Sequence, residues 1–366
     1  MDIKGKITGI KYKALLIEDL QVIDIENFNI NKVPSYFIMK DGENSFAVSK
    51  WISPKRTRSY PYERVYNTLN VSKKITIIPI IKDEGADGDR DFLQWDTISL
   101  MSLLDIFVIF AYYNKATKNP DYKNKITDFE FNNKYIISKI KEIKQYHSSA
   151  LHWNLNELNK NFHQIIDKSK EAYSRIEKEL DVKLHSQRGI DNFKNRIGKN
   201  VEKFMQFSRE KAEKAQTREI VTTQPKECLT SFTKAKITIT NYLGGQYFFT
   251  VDEIFIDKNI VYIIEDKHSR DSILPSISDI KDGLLKMILY SNLSEVEVDG
   301  KKMKSIAVLN LTSPKISGSI SSEFPVWNGD NFLLSNKFSQ TQIKFIKILL
   351  NEAKKNGFVI KIGKSR

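Results

Sequence analysis

Apolar and polar residues alternate in short runs over the first third of the chain, and the runs are rich in β-branched residues. This pattern is typical of strands with one buried face. Three runs show it: 6–25, 35–49 and 73–82. Asp41 and Gly42 lie within the second run and predict a tight hairpin. The apolar block 98–113 fits either a helix or a strand. We therefore expect a β-rich N-terminal domain over residues 1–120, which is a candidate for DNA recognition.

A helical periodicity replaces the alternation from about residue 127 to residue 216. Apolar residues recur there at three- and four-residue spacing, as at Ile136, Ile140 and Ile143, and the stretch contains no proline. The spacing predicts several helices without a sustained heptad repeat. We expect a separate helical segment over residues 121–189.

The last third of the chain predicts a mixed α/β domain over residues 190–366. Five runs have the character of strands: 235–241, 246–256, 259–267, 304–312 and 358–362. Two amphipathic stretches predict helices: 276–293 and 340–355. With a helix at about 190–216, the first six elements have the order α-β-β-β-α-β. We expect these strands to form a mixed central sheet.

Charged residues occur at both ends of the predicted hairpin 250–269. Because side chains alternate along a strand, Glu265 and Lys267 share one face and Asp266 points to the other. If the two strands are neighbours, Asp252 lies beside Glu265, and two close carboxylates repel unless a cation lies between them. Oxygen ligands suit Mg²⁺, and Lys267 suits stabilising charge on a phosphate or helping to deprotonate an attacking water. The alternative is that these charges only mark the strand ends.

Composition narrows the class of protein. The chain has 58 Lys and Arg against 45 Asp and Glu, a net charge of +13, which favours a polyanionic partner such as nucleic acid. The alternative is a bias towards Lys, Asn and Ile throughout the sequence. A single cysteine excludes an internal disulfide framework, and no apolar run is long enough to span a bilayer. With no apolar leader and no phosphate-loop or dinucleotide motif, we expect a cytoplasmic protein without membrane attachment or nucleotide cofactor.

The charge pattern at 252–267 resembles the PD-(D/E)XK nuclease superfamily in its Glu-X-Lys form. The match consists of Asp252, twelve intervening residues and then Glu265-Asp266-Lys267, within an α-β-β-β-α-β order of elements. Val251 stands where many members have proline. The resemblance implies a restriction-endonuclease-like core and Mg²⁺-dependent hydrolysis of phosphodiester bonds in double-stranded DNA. A large non-catalytic portion without a motor motif favours a type II restriction endonuclease.

The resemblance also implies roles for individual residues. Asp252, Glu265 and Lys267 would be catalytic, and Asp252, Glu265 and the backbone carbonyl of Asp266 would bind the metal. Glu253 is the reserve for Asp252. Many members add an acid from the preceding helix, and Glu202 is the candidate here.

Basic and aromatic residues interleave in the segment 50–69, a combination that suits phosphate binding and base stacking. The candidates for DNA contact there are Trp51, Lys55, Arg56, Arg58, Tyr60, Tyr62 and Arg64. After the acidic triplet, the candidates are His268, Arg270, Lys281 and Lys286. The nearby acidic segment 82–96 is expected to pair with the basic segment, and a second metal site there is the alternative.

Other functions remain open at this stage. A repair or structure-specific nuclease would carry the same site, and a nucleic-acid-binding protein could keep the scaffold without cleavage. A homodimer is expected if the recognition sequence is palindromic, because two-fold symmetric DNA matches a two-fold protein.

Overall fold

The computed structural model describes residues 1–55, 61–198, 201–221, 235–323 and 329–365. The strands are β1 (Asp2–Ile7), β2 (Val22–Asp24), β3 (Tyr36–Asp41), β4 (Asn44–Lys50), β5 (Lys74–Pro79), β6 (Ile81–Asp83), β7 (Arg90–Phe92), β8 (Ile106–Ala111), β9 (Tyr113–Lys118), β10 (Ile126–Phe131), β11 (Ala235–Asn241), β12 (Gln246–Val251), β13 (Glu253–Asp257), β14 (Ile260–His268), β15 (Ser294–Val298), β16 (Lys301–Lys302), β17 (Lys304–Ser313), β18 (Ser319–Ser321) and β19 (Val359–Lys364). The helices are α1 (Pro61–Tyr66), α2 (Trp95–Leu103), α3 (Asn133–Lys144), α4 (Ala150–Lys160), α5 (Phe162–Leu180), α6 (Arg188–Ile197), α7 (Val201–Val221), α8 (Ile277–Ser291), α9 (Gly329–Ser335) and α10 (Gln340–Asn356).

The predicted mixed α/β class is confirmed, since helices and several mixed sheets alternate along the chain. The chain forms two units, one of Met1–Glu18 with Lys211–Arg366 and the other of Asp19–Glu210. We call them the split unit and the inserted unit. Within the described ranges, no helix combines the length and apolar character needed to cross a membrane.

The inserted unit is built on a five-stranded sheet of order β2-β3-β4-β5-β8. The predicted hairpin joins β3 to β4 through Gly42, whose φ of +62° is the left-handed conformation that glycine adopts readily. The apolar block 98–113 forms the end of α2 and then β8, separated by Asp105 in a left-handed conformation. The block therefore contains both a helix and a strand, one after the other.

The helix α3 packs against that sheet, and α4 lies along its edge strand β8. The apolar face of α3 packs into the same core as Phe107 and Ile109 of β8. On α4, Trp153 Nε1 donates a hydrogen bond to the Val108 carbonyl at 3.0 Å, and Asn154 Oδ1 accepts one from the Val108 amide at 2.7 Å. Two helices of the predicted helical segment 121–189 therefore help to complete the core of this sheet.

The split unit begins with β1, which lies between β11 and β15 in a sheet of order β12-β11-β1-β15-β16. It pairs in parallel with β11 and antiparallel with β15, and Ile3 and Ile7 on it are fully buried. Residues 1–18 therefore belong with the C-terminal residues, and the predicted domain boundaries at 120 and 189 do not coincide with the observed ones. The alternation of β1 predicted a strand but carried no sign of its partner.

The second sheet of the split unit has the order β13-β14-β17-β19-β18. Its strands β14, β17 and β19 are parallel, while β13 and β18 run antiparallel to their neighbours at the two edges. The predicted strand 246–256 divides at Asp252, so that β12 joins the first sheet and β13 the second.

Residues 8–18 follow β1 and contain no helix or strand. This segment, which we call the strap, is held by one buried carboxylate of α10. Glu352 is fully buried and accepts hydrogen bonds from the Tyr12 hydroxyl at 2.7 Å, the Leu15 amide at 2.9 Å and the Leu16 amide at 3.1 Å. A carboxylate that is removed from water is stable only when such donors replace its hydration. The strap is thereby attached to the helix that packs on β19.

We predict that Glu352→Ala lowers the free energy of unfolding by about 2–4 kcal/mol, because the strap amides are left buried without their acceptor. Denaturant unfolding measures the loss, and limited proteolysis is expected to cut earlier within residues 8–18. Asn351→Ala, at the exposed neighbouring position, is the control. Equal stability of the two variants would contradict the assigned role of Glu352.

Candidate active site

At Asp252 the chain passes from the first sheet of the split unit to the second, and this passage sets the geometry of the predicted site. In the β13–β14 pair, Glu253 lies opposite Ile264 and Ile254 lies opposite Ile263. The register ends at Glu253, and Asp252 lies just before it, at the bend between β12 and β13. The Asp252 carboxylate also accepts a hydrogen bond from the Asp266 amide, at 3.0 Å from Oδ2. The acid therefore lies against the backbone of the acidic triplet.

The same register distinguishes Asp252 from Glu253. Ile264, the partner of Glu253, packs with Val308 and Val359 in a small apolar cluster. Neighbouring residues of a strand point to opposite faces, so Glu253 and Ile264 share the face that Glu265 does not use. Between the two acids of the predicted pair, Asp252 is the one beside Glu265. Glu253, the reserve candidate, lies on the other face.

Glu265 is the central residue of the site. It is 1% exposed, and its Oε1 accepts a hydrogen bond from Lys286 Nζ at 2.6 Å and lies 3.1 Å from Lys267 Nζ. Its Oε2 is also buried but makes no hydrogen bond to any residue in the described ranges. A buried carboxylate oxygen normally has a partner. The geometry thus leaves one oxygen of Glu265 available to a cation or a water.

The helix α8 contributes two further charged residues to the site. Asp282 and Lys286 are one turn apart, a spacing that puts them on one face. Asp282 Oδ2 lies 3.7 Å from Lys267 Nζ, while Lys286 reaches Glu265. Sequence reasoning missed Asp282 and considered Lys286 only for DNA contact. The available signal was the one-turn spacing of this acid and base on α8, a helix that also carries Asp279 and Lys281.

Burial and close charges shift the pKa values of these groups. Burial, and then the negative charge of Glu265, raise the pKa of Asp252 to about 6, against the opposing effect of Lys286. Burial also raises the pKa of Asp282, although Lys267 and Lys286 oppose the shift. For Lys286, burial acts against the charged form, but the attraction of Glu265, Asp252 and Asp282 outweighs it and raises the pKa. The site therefore combines a charged Lys286 with two acids, Asp252 and Asp282, whose raised pKa values oppose ionisation.

A close approach between α8 and the sheet keeps these groups together. A Cβ atom added to Gly283 would lie 2.8 Å from Leu309 Cδ1 and 3.3 Å from Lys267 Cε. The first distance is shorter than real Cβ contacts allow, and Leu309 is fully buried on β17. Only glycine lets the helix pack this closely beside the aliphatic part of Lys267.

The described residues fit a divalent cation held by few protein ligands. They contain no group of three or more histidine, cysteine or acidic side chains that could enclose a metal. Mg²⁺ commonly uses one or two carboxylates and retains several waters, and Asp252 with the free Oε2 of Glu265 supplies such a set. The Asp266 side chain is engaged by Asn310 Nδ2 at 2.7 Å, so its predicted contribution stays with the backbone carbonyl. Glu202 is an exposed residue of α7 in the inserted unit, and its metal role stays a prediction.

Three of the residues predicted to contact DNA are buried in this structure. Trp51 and Tyr62 are 0% and 3% exposed, so neither ring offers a face on which a base could stack. Lys281 is fully buried, and its Nζ pairs with Glu18 at 2.5 Å. The interleaved pattern at 50–69 therefore includes core residues as well as surface residues.

The other residues predicted to contact DNA are partly or fully exposed, or lie outside the described residues. Arg64 is partly buried and donates a hydrogen bond to the Lys50 carbonyl at 2.7 Å. Lys55 lies 3.4 Å from Asp91, an ion pair of the kind expected between the basic segment and the acidic segment. His268 and Arg270 are exposed at the end of β14. Arg56, Arg58 and Tyr60 lie outside the described residues.

Comparison of the chain with protein-family models, curated proteins and solved structures gives no match. The chemistry of the site is therefore argued from its own side chains. Two adjacent carboxylates, one of them with an unpartnered buried oxygen, lie beside two lysines. This arrangement can hold a cation and attract an anionic substrate.

We predict that Asp252→Asn raises the free energy of unfolding by about 1–3 kcal/mol at about pH 7.5 in EDTA. The folded-state pKa lies above the ordinary value of 3.8, so the ionised carboxylate destabilises the folded protein above pH 6. As the pH falls from 6 towards 3.8, the wild-type carboxyl is protonated on folding, and the advantage of asparagine should disappear. Denaturant unfolding at several pH values measures the effect.

Asp257→Asn, at an exposed position on β13, serves as the control for that series. It should leave the pH dependence of stability unchanged. An advantage of Asp252→Asn that is the same at pH 5 and pH 7.5 would contradict the raised pKa.

We further predict that Gly283→Ala destabilises the protein by about 1–3 kcal/mol, because the added methyl group overpacks the contact with Leu309. The double variant Gly283→Ala/Leu309→Val removes the clashing Cδ1 and should cost less than the sum of the two single changes. Thermal and denaturant unfolding of all three variants provide the test. If the two single losses of unfolding free energy simply add in the double variant, α8 is not in tight contact with Leu309.

Proposed function

We propose that this chain is a Mg²⁺-dependent endonuclease that hydrolyses phosphodiester bonds of double-stranded DNA. More specifically, we propose a cytoplasmic type II restriction endonuclease of the PD-(D/E)XK superfamily. The observation that carries the proposal is the buried Glu265 Oε2, which has no partner in the described residues. Lys267 Nζ lies 3.1 Å from the other oxygen of Glu265, and the Asp252 carboxylate is bonded to the neighbouring Asp266 amide.

The carboxylates would hold the metal. Asp252, Glu265 Oε2 and the Asp266 carbonyl are the candidate ligands. Burial and then repulsion by Glu265 raise the pKa of Asp252, and a cation would relieve this repulsion. A bound Mg²⁺ polarises a phosphodiester and lowers the pKa of a coordinated water.

The two lysines have different tasks in this proposal. Lys286 Nζ holds Glu265 Oε1 at 2.6 Å, which fixes the carboxylate and leaves Oε2 for the cation. Lys267 Nζ lies between Glu265 and Asp282, which orient it. Its ammonium group would stabilise the negative charge that develops on the scissile phosphate.

The charge of the chain supports a polyanionic substrate. A net charge of +13 favours DNA through counterion release. His268 and Arg270 follow the acidic triplet directly and are exposed, so they are suited to contact the backbone on either side of the scissile phosphate. A homodimer would match a palindromic site.

Plasmid cleavage tests the proposal. With Mg²⁺ the wild-type protein should give discrete fragments, and EDTA should abolish them. Lys267→Ala is expected to lower the cleavage rate by about 100-fold or more while DNA binding persists, because it removes a charge needed mainly in the transition state. Lys286→Met should also lower the rate, since Glu265 loses its closest partner.

Lys344→Ala removes an exposed lysine of α10 and should cut at the wild-type rate. Cleavage restricted to branched or single-stranded DNA would favour a repair or structure-specific nuclease. DNA that stays intact with every metal, together with retained salt-sensitive binding, would contradict the nuclease proposal and favour a binding protein.

A further inference from the structure

A second site lies in the inserted unit, where a cavity of about 500 Å³ opens beside the β9–β10 hairpin. The end of β4 and the strand β6 form its other sides, through Lys50 and Lys82. Sites for small molecules usually have volumes of about 300–1,000 Å³ and combine apolar walls with a few polar groups. The cavity is large enough for a nucleotide.

Aromatic rings form one wall of this cavity. Tyr113 stacks on Phe131 with ring centroids 4.4 Å apart, and Phe129 lies 4.9 Å from Tyr113. The rings of Tyr113 and Phe131 are almost fully buried, whereas Phe129 is partly exposed. The Phe129 side chain is therefore the part of this aromatic group that reaches the cavity surface.

A β-bulge places Phe129 in this wall. The register of β9 with β10 shifts between Thr127 and Glu130, and Asp128 has a φ of +46°. A left-handed conformation is costly for a residue with a side chain. Bulges redirect side chains and are frequent next to functional sites, and this one lies at the mouth of the cavity.

Two ammonium groups also line the cavity, and one of them lies over the Phe129 ring. Lys50 Nζ donates hydrogen bonds to the carbonyls of Ile30 at 2.8 Å and Val33 at 2.9 Å. Burial, and then the charge of Arg64, lower the pKa of Lys50 to about 8. Lys82 Nζ lies 5.0 Å from the centroid of the Phe129 ring and 2.9 Å from Glu84. An anion bound here would favour the charged form of Lys50.

We propose that this cavity binds a nucleotide, with the base against Phe129 and the phosphate beside Lys50 and Lys82. The combination of a ring wall with ammonium groups matches the two halves of such a ligand. The nucleotide is either free in solution or an unpaired nucleotide of a nucleic acid. The inference does not rest on the proposed cleavage, because every residue that carries it lies in the inserted unit.

Calorimetric titration of the full chain in EDTA tests the proposal. The probes are dTMP and AMP, thymidine and inorganic phosphate, a fully paired 20-mer duplex and the same duplex with one unpaired nucleotide. We expect Phe129→Ala to weaken nucleotide binding about tenfold or more, while Phe129→Tyr retains it, because stacking on one ring contributes on that order. Lys50→Gln should abolish the preference for dTMP over thymidine.

Matched controls remove a ring or a charge elsewhere. Tyr242→Ala changes an exposed ring of the split unit, and Lys115→Gln changes an exposed lysine of β9. Both should bind like the wild type, and thermal unfolding confirms that each variant is folded.

The outcomes separate the sources of the ligand and the two proposals. Phe129-dependent binding of dTMP or AMP identifies a free nucleotide, and Phe129-dependent binding of the unpaired duplex alone identifies a nucleotide of DNA. Affinities that are unchanged in folded Phe129→Ala and Lys50→Gln, for every probe, would overturn the inference. Plasmid cleavage that fails while nucleotide binding persists would contradict only the nuclease.

Discussion

The antiparallel register of β13 and β14 is the constraint on which the candidate active site depends. It pairs Glu253 with Ile264, on the face that Glu265 does not use, and Asp252 directly precedes this pair. A shift of one residue would exchange the two acids and bring Ile264 to the site. The apolar cluster of Ile264, Val308 and Val359 on the far face stabilises this register, because exposing these side chains would cost hydrophobic free energy.

The site also shows how a protein keeps several charges out of water. Lys286 satisfies one oxygen of Glu265, and the attraction of three carboxylates keeps this lysine charged despite its burial. Breaking such a network at one member leaves a buried charge without compensation. The raised pKa of Asp252 is the remaining cost of the arrangement, and sites that bind ligands often retain a cost of this kind in the free protein.

Local patterns predicted much of the fold but little of its long-range pairing. Alternation located the hairpin of β3 and β4, the parallel strands β14, β17 and β19 of the second sheet and the common face of Glu265 and Lys267. It could not reveal that β1 pairs with β11, since a strand pattern contains no information about a distant partner. The pattern could not show that Trp51 and Tyr62 are buried, because aromatic residues serve both cores and binding surfaces. Asp282 was missed because its role depends on how closely α8 packs at Gly283, which spacing alone does not give.

The position of β1 has a consequence for synthesis on the ribosome. Its two neighbours, β11 and β15, begin at Ala235 and Ser294, so β1 has to wait for most of the chain before it can pair. The intervening residues of the inserted unit emerge first and can form their own core during this time. Pairings between distant segments form slowly. The split unit, with Asp252, Glu265 and Lys267, is therefore completed late, and the emerging chain exposes an unpaired strand until then.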